Sequence, residues 1–102
     1  MPNFILAYHG GKIPETKEEQ DKVMAAWMAW FGGMGDAVVD AGNPVGMSST
    51  ISNTGVVDNG GANPLSGYSI LKAADMAAAI ELAKGCPQTL NGTVEAAEIM
   101  PM

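Results

Sequence analysis

Large apolar side chains crowd the start of the chain, with Phe4, Ile5, Leu6 and Tyr8 lying between Asn3 and His9 and Gly10-Gly11 following. A short run of this kind, closed by glycines, reads as a strand over Asn3 to His9. After Pro14 the period changes. Thr16-Lys17-Glu18-Glu19 has the form of a capping box, in which the Thr16 hydroxyl accepts the Glu19 amide N–H and the Glu19 carboxylate reaches back. The carboxylates of Glu18, Glu19 and Asp21 also suit the positive end of a helix dipole. Apolar residues then recur at Val23, Trp27, Trp30, Phe31, Met34, Val38 and Ala41. Those spacings trace one helix face, so a helix is predicted through Ala41 and stopped by Gly42 and Asn43-Pro44. Its interior glycines, Gly32, Gly33 and Gly35, cost about 1 kcal/mol each against alanine, which predicts either close approach of the helix to a sheet or a local kink.

From Val45 to Ser52 the pattern alternates. Val45, Met47 and Ile51 fall on one side, and Gly46, Ser48, Thr50 and Ser52 on the other, as in a half-buried strand near a sheet edge. Asn53-Thr54-Gly55 predicts a hairpin turn with Val56-Val57 as a short return strand. Asp58 to Pro64 has no periodicity and is expected to be a loop. Leu65 to Lys72 reads as a further strand. A second helix follows from about Asp75 to Lys84, with Met76, Ile80 and Ala83 as its inward stripe, capped by Gly85 and blocked by Pro87. Thr93 to Met100 is the expected last strand.

The order β-α-β-(hairpin)-β-α-β predicts an α+β domain of ferredoxin-like βαββαβ type, with an antiparallel four-stranded sheet and an inserted hairpin or loop. Right-handed crossovers place both helices on one face. The other face would be polar if it met water, yet both alternating sets of the first strand (Phe4, Leu6, Tyr8 against Ile5, Ala7, His9) hold large apolar groups. The strand from Leu65 does the same, with Tyr68 and Ile70 opposed to Ser69 and Leu71. A monomer rarely exposes such a face, so a two-fold homodimer is expected. The alternative is that the Asn53–Pro64 region covers the face within one chain.

Length and composition narrow the picture further. At 102 residues, 47% hydrophobic and 16% charged, the chain is long enough for one domain, spanning 1–102, with a single core. The net charge of −6, without any basic cluster, argues against nucleic acid and anionic membranes as partners. One cysteine, Cys86, allows no intrachain disulfide, and the start of the chain has no signal-peptide or membrane-span pattern. A reducing cytoplasm is the expected compartment.

Several segments together resemble the YCII-related family, and in particular its branch of DGPF proteins. They are Asn3-Phe4-Ile5-Leu6-Ala7-Tyr8-His9, the acidic-capped helix, and Leu65-Ser66-Gly67-Tyr68-Ser69-Ile70. The run Ala83-Lys84-Gly85-Cys86-Pro87 is also among them, and Lys84-Gly85-Cys86-Pro87 followed by Gly92-Thr93-Val94-Glu95 is the most specific part. The resemblance covers nearly the whole chain in order. It implies a dimeric α/β-barrel arrangement, two sheets facing each other across a shared cavity. Family members include proteins with a proposed catalytic His and Asp, a branch that dehydrochlorinates an aromatic hydroxyquinol, and proteins associated with sigma factors. This sequence departs from the pattern in two ways. The Asp-Gly-Pro-Phe signature is missing from the corresponding stretch, Asn59 to Leu65, and the first helix contains no histidine, so the family's catalytic pair is not carried over.

The candidate chemistry rests on few residues. His9 is the sole histidine and the one side chain that ordinarily titrates near neutrality; its strand-end place suits either a general acid or base or a hydrogen-bonded structural role. Asp36, Asp40 and Tyr68 are its candidate partners, so His9, Tyr68 and Asp36 form the candidate catalytic set. Tyr8, Ser48, Thr50 and Ser69 are candidate ligand-binding residues, with core packing or a solvated strand face as the competing reading. Cys86 lies past a helix C-terminus, where the dipole raises a thiol's pKa, and no nucleophilic role is expected. Neither a metal nor a cofactor is expected. Two functions follow: a dimeric domain that binds a small molecule or serves a regulatory or accessory role, and an enzyme of proton transfer or elimination with His9 as acid or base.

Overall fold

The structure, a computed structural model, describes residues 1–11, 14–58 and 64–101. The central part of the predicted loop after Asp58, and with it most of the stretch from Asn59 to Leu65, lies outside the described residues.

Strand β1 spans Asn3–Gly10, and helix α1 spans Lys17–Met34. Thr16 caps α1 through the first half of the capping box, its Oγ accepting the Glu19 amide at 3.1 Å, while Glu19 Oε2 reaches one residue further back and accepts the Glu15 amide at 3.1 Å. The helix ends at Met34 rather than Ala41, which corrects the expectation from spacing. Gly35 turns to φ 53°, a left-handed conformation that glycine adopts without steric cost, and its amide closes on the Phe31 carbonyl. A 3-10 turn over Gly35–Ala37 leads into β2, Val38–Asp40, where two β-branched valines favour extended chain.

The second strand of the main sheet is therefore β2, and not Val45–Ser52. Beyond Asp40 the chain runs beside a later strand, β5 (Leu65–Lys72), so closely that a Cβ on Gly42 (φ 74°) would land on the Tyr68 carbonyl oxygen. Pro44 then meets Gly67 in a lone bridge; lacking an N–H it cannot extend the ladder. Strand β3, Ser49–Ser52, pairs instead with β4, Gly55–Asp58, as a separate two-stranded sheet. Its turn falls where Asn53-Thr54-Gly55 predicted.

Helix α2 spans Met76–Lys84 and is capped by Asp75, which accepts the Ala78 amide at 2.9 Å. Its inward stripe is Ala79 and Ala83 with Ala78 and Leu82 half-buried; Met76 and Ile80 face outward, which corrects the predicted stripe. Small alanines let α2 sit close on Phe4 and Ala73. A second 3-10 turn, Pro87–Leu90, precedes β6, Gly92–Glu98.

The four main strands run in the order β2-β5-β1-β6, all antiparallel, an α+β arrangement compatible with a ferredoxin-like fold. Both helices cover one face. Phe4, Leu6, Tyr8, Leu71 and Cys86 are buried beneath them, with Trp27, Trp30 and Met34 of α1 packed on top. Each fully buried Phe or Leu stabilises the fold by about 1.5–3 kcal/mol. The Trp27 ring meets Tyr8 edge-on at 5.1 Å, and Trp30 Nε1 donates to the Leu82 carbonyl at 3.0 Å, tying α1 to α2. Among the described residues no helix is long and apolar enough to cross a membrane.

Candidate functional site on the helix-free sheet face

Alternation along β1 sends Tyr8 under the helices and its neighbour His9 to the opposite, uncovered face. Ile5 and Ala7 share that face with His9. Strand register adds Ile70 and Tyr68 of β5, opposite Ile5 and Ala7, and Ala97, Glu95 and Thr93 of β6, opposite Ile5, Ala7 and His9. Tyr68 and Glu95 thus flank Ala7 from its two sides, one register step from His9.

The contact that marks the site is His9 Nε2 to Glu95 Oε1 at 3.1 Å. It runs diagonally across the β1–β6 pair, a separation long side chains span. The His9 side chain is 17% exposed and that of Glu95 73% exposed. A carboxylate on a ring nitrogen selects the tautomer with the proton there.

Two backbone features hold His9. Tyr8 faces Gly67 but His9 faces Leu65, so Ser66 is an extra residue and the ladder bulges beside the histidine. From the other side, Gln88 Nε2 lies 3.1 Å from the His9 and Gly10 carbonyl oxygens, to which it donates, and 3.4 Å from Ser66 Oγ. One amide thereby ties the ends of β1 and β5 to the turn before β6.

The remaining candidates fall elsewhere. Tyr8 and Ser69 stand on the covered face: Tyr8 donates to Ser69 Oγ at 2.6 Å, and Ser69 donates to the Ala41 carbonyl at 2.6 Å. Burial pushes the Tyr8 phenol well above its ordinary pKa, so it stays protonated. Tyr8 and Tyr68 lie on neighbouring strands but on opposite sides of the sheet. Asp36 is in the 3-10 turn before β2, near the Lys72 end; β5 carries that end about 20 Å from His9 at about 3.3 Å per residue. Asp40 accepts the Gly42 amide at 2.8 Å and serves the turn after β2. Thr50 is exposed on β3, and Ser48 just before it has a buried Oγ without a hydrogen-bond partner among the described residues. The structure therefore brings His9 into one neighbourhood with Tyr68 and with Glu95, and does not bring Asp36, Tyr8 or Ser69 there.

Cys86 is buried, and that burial first of all pushes its thiol up to about 11, so it is no nucleophile near neutrality. Among the described residues no group of three or more His, Cys, Asp and Glu is placed to hold a metal.

Glu95 and Gln88 were missed from the sequence. The parity of Gly92-Thr93-Val94-Glu95 puts Glu95 on the face of Thr93, and antiparallel pairing with β1 puts Thr93 beside His9, but that inference needs the register. Gln88 carries no pattern at all. No curated protein matches this chain. The family profile described as the YCII-related domain matches residues 1–102, end to end. The chain belongs to the YCII-related domain family.

Proposed function

We propose that the protein is a homodimer that binds a small molecule on the helix-free face of its sheet, beside His9, Glu95 and Tyr68. The observation that carries this reading is the amount of surface left bare. The chain exposes 6922 Å², whereas a compact monomer of its 10.5 kDa mass exposes about 5,400 Å². A surplus of about 1,500 Å², to which the half-buried helix-free face and the exposed Ile51, Val56 and Val57 both contribute, exceeds the roughly 800 Å² per partner of an ordinary interface. A second copy is the commonest cover for such a face. Two sheets meeting across their uncovered faces would enclose a cavity of the dimeric α/β-barrel kind, with His9 near its rim.

The test has two arms. Light scattering at micromolar concentration should give twice the chain mass; a monomer there ends the reading. Thermal shift with phenol, catechol and benzoate, at one fixed protomer concentration, should then find a ligand that stabilises wild type and fails to stabilise His9→Ala. Equal stabilisation of both proteins would place the ligand elsewhere.

The 3.1 Å approach of Glu95 to His9 favours a second reading, proton transfer or elimination on a small aromatic substrate. His9 would be the general base or acid, with Tyr68 orienting the substrate. Chloride release from chlorohydroquinone, lost in both His9→Ala and Glu95→Gln, would support it. Binding without turnover, or turnover unchanged in both variants, would dismiss it.

A further inference from the structure

The β3–β4 hairpin stands apart from everything around it. It hydrogen-bonds as a sheet of its own, and among the described residues β3 and β4 make sustained contact only with each other. Yet it is strongly apolar at the surface: Ile51 is 75% exposed, Val56 63% and Val57 57%, and Met47 at its base is 87% exposed. Ile51 and Val56 are cross-strand partners and share one face. A lone two-stranded hairpin is marginally stable in water, so this one needs a surface to lie on.

Resting on the dimer reading above, we propose that this hairpin is an exchange arm, docking through Ile51 and Val56 onto the helix-free sheet face of the partner subunit. Each subunit then closes the other's His9–Tyr68 site. Three observations select a second copy as the occupant. The molecule is 18 Å across its thinnest direction, the depth of one sheet with one helix layer; an arm folded over its own sheet would add about 10 Å. Charge gives the next. The chain carries −6, so two copies repel wherever their charges meet, yet no ionisable residue occurs from Ala41 to Val57. The central part of the helix-free face, Ile5, Ala7, Tyr68 and Ile70, is likewise uncharged, with Glu95 and Asp40 confined to its flanks on β6 and β2, so these two surfaces are where two such chains can approach with least like charge between them. Position gives the third. The arm leaves the sheet at the His9 end of β5, where the Val45 amide bonds the Ser66 carbonyl at 3.1 Å and the Tyr68 amide bonds the Asn43 carbonyl at 3.3 Å. A two-fold contact at that end is isologous, each arm reaching the site that the other arm borders.

The test uses the full chain. In a one-to-one mixture of Ile51→Cys and Tyr68→Cys chains, mild oxidation should give an interchain disulfide that peptide mapping assigns to positions 51 and 68; the native Cys86 is buried and stays out of the reaction. In parallel, Ile51→Asp/Val56→Asp should weaken dimerisation by about 100-fold or more, since two apolar side chains leave the interface and like charges enter it. Wild type running as a monomer would sink the dimer reading and this inference with it. Wild type running as a dimer, without a 51–68 disulfide, would overturn the arm alone, as would an unchanged dimer constant in the folded double variant. The disulfide result decides the matter if the double variant does not fold.

Discussion

Ser69 joins two hydrogen bonds of 2.6 Å, accepting from the Tyr8 phenol and donating to the Ala41 carbonyl. This arrangement makes the cost of a substitution depend on which member is removed. Tyr8→Phe deletes one bond and leaves Ser69 still bonded to Ala41, so it should cost about 1 kcal/mol. Ser69→Ala deletes both and leaves the buried phenol O–H only the Cys86 sulfur, a weak acceptor, so part of a desolvation loss of about 1–3 kcal/mol adds to the lost bond; about 2–3 kcal/mol in all is expected, because the Ala41 end lies nearer water. For a domain of this size that corresponds to a Tm fall of about 10–20 °C for Ser69→Ala and about 4–8 °C for Tyr8→Phe. The double variant should be no less stable than Ser69→Ala, since removing the phenol O–H as well removes the poorly bonded donor. Urea and thermal unfolding of the three variants, all at one protomer concentration, measure this. If Tyr8→Phe costs as much as Ser69→Ala, or the two losses add, the relay is not what holds β1, β5 and the end of β2 together.

Three further outcomes are expected. Gly42→Ala should cost more than about 2 kcal/mol in urea unfolding, because φ 74° strains an L residue and the new Cβ would strike the Tyr68 carbonyl. Asp75→Ala should cost about 1 kcal/mol through the lost cap on the Ala78 amide, and Asp75→Asn only a few tenths. Cys86, held from 9.0 up to about 11 in the folded chain, should contribute stability fully below pH 9 and lose it progressively up to about pH 11, as the unfolded thiol ionises and the folded one does not. Wild type should therefore lose about 2–3 kcal/mol more than Cys86→Ala across that window, read by urea unfolding at each pH; parallel curves would refute it.

Local chemistry that acts over a few residues was legible in the sequence. The capping box at Thr16–Glu19, the stop at Gly85-Cys86-Pro87, the hairpin turn at Asn53-Thr54-Gly55 and the full extent of β5 all follow from residue type and short spacing. What misled was a coincidence of period. Val38 and Ala41 continue the spacing of Trp27, Trp30 and Met34, so the pattern alone cannot tell a longer helix from a helix that ends at a positive-φ glycine and becomes a strand. The outcome was decided by Gly35 and by the ladder that Val38 finds opposite Leu71, a partner distant in sequence. The site was legible to the same degree. His9 could be singled out as the sole imidazole, but its carboxylate, Glu95, comes from the far end of the chain and becomes visible only with the β1–β6 register. Asp36 looked equally eligible until β2 fixed it at the opposite end of the sheet.

Strand parity has one more consequence. Tyr8 and His9 are consecutive residues, yet one is locked in the core relay and the other stands on the uncovered face; Ser69 and Tyr68 divide in the same way one strand over. Positions 4, 6, 8, 69 and 71 therefore carry stability, while 5, 7, 9, 68 and 70 carry whatever the helix-free face does, and each set can be changed with little direct effect on the other. Between β1 and β5 this separation is interrupted by the bulge at Ser66. An extra residue there shifts the parity of β5 relative to β1, so deletion of Ser66 would pull Leu65 into line with the regular ladder and re-aim the backbone beside His9. A sheet that kept its ladder regular at that point would hold the same core but present a different edge beside His9. The irregularity, braced by Gln88 from the outside, is accordingly a feature of the site rather than of the fold.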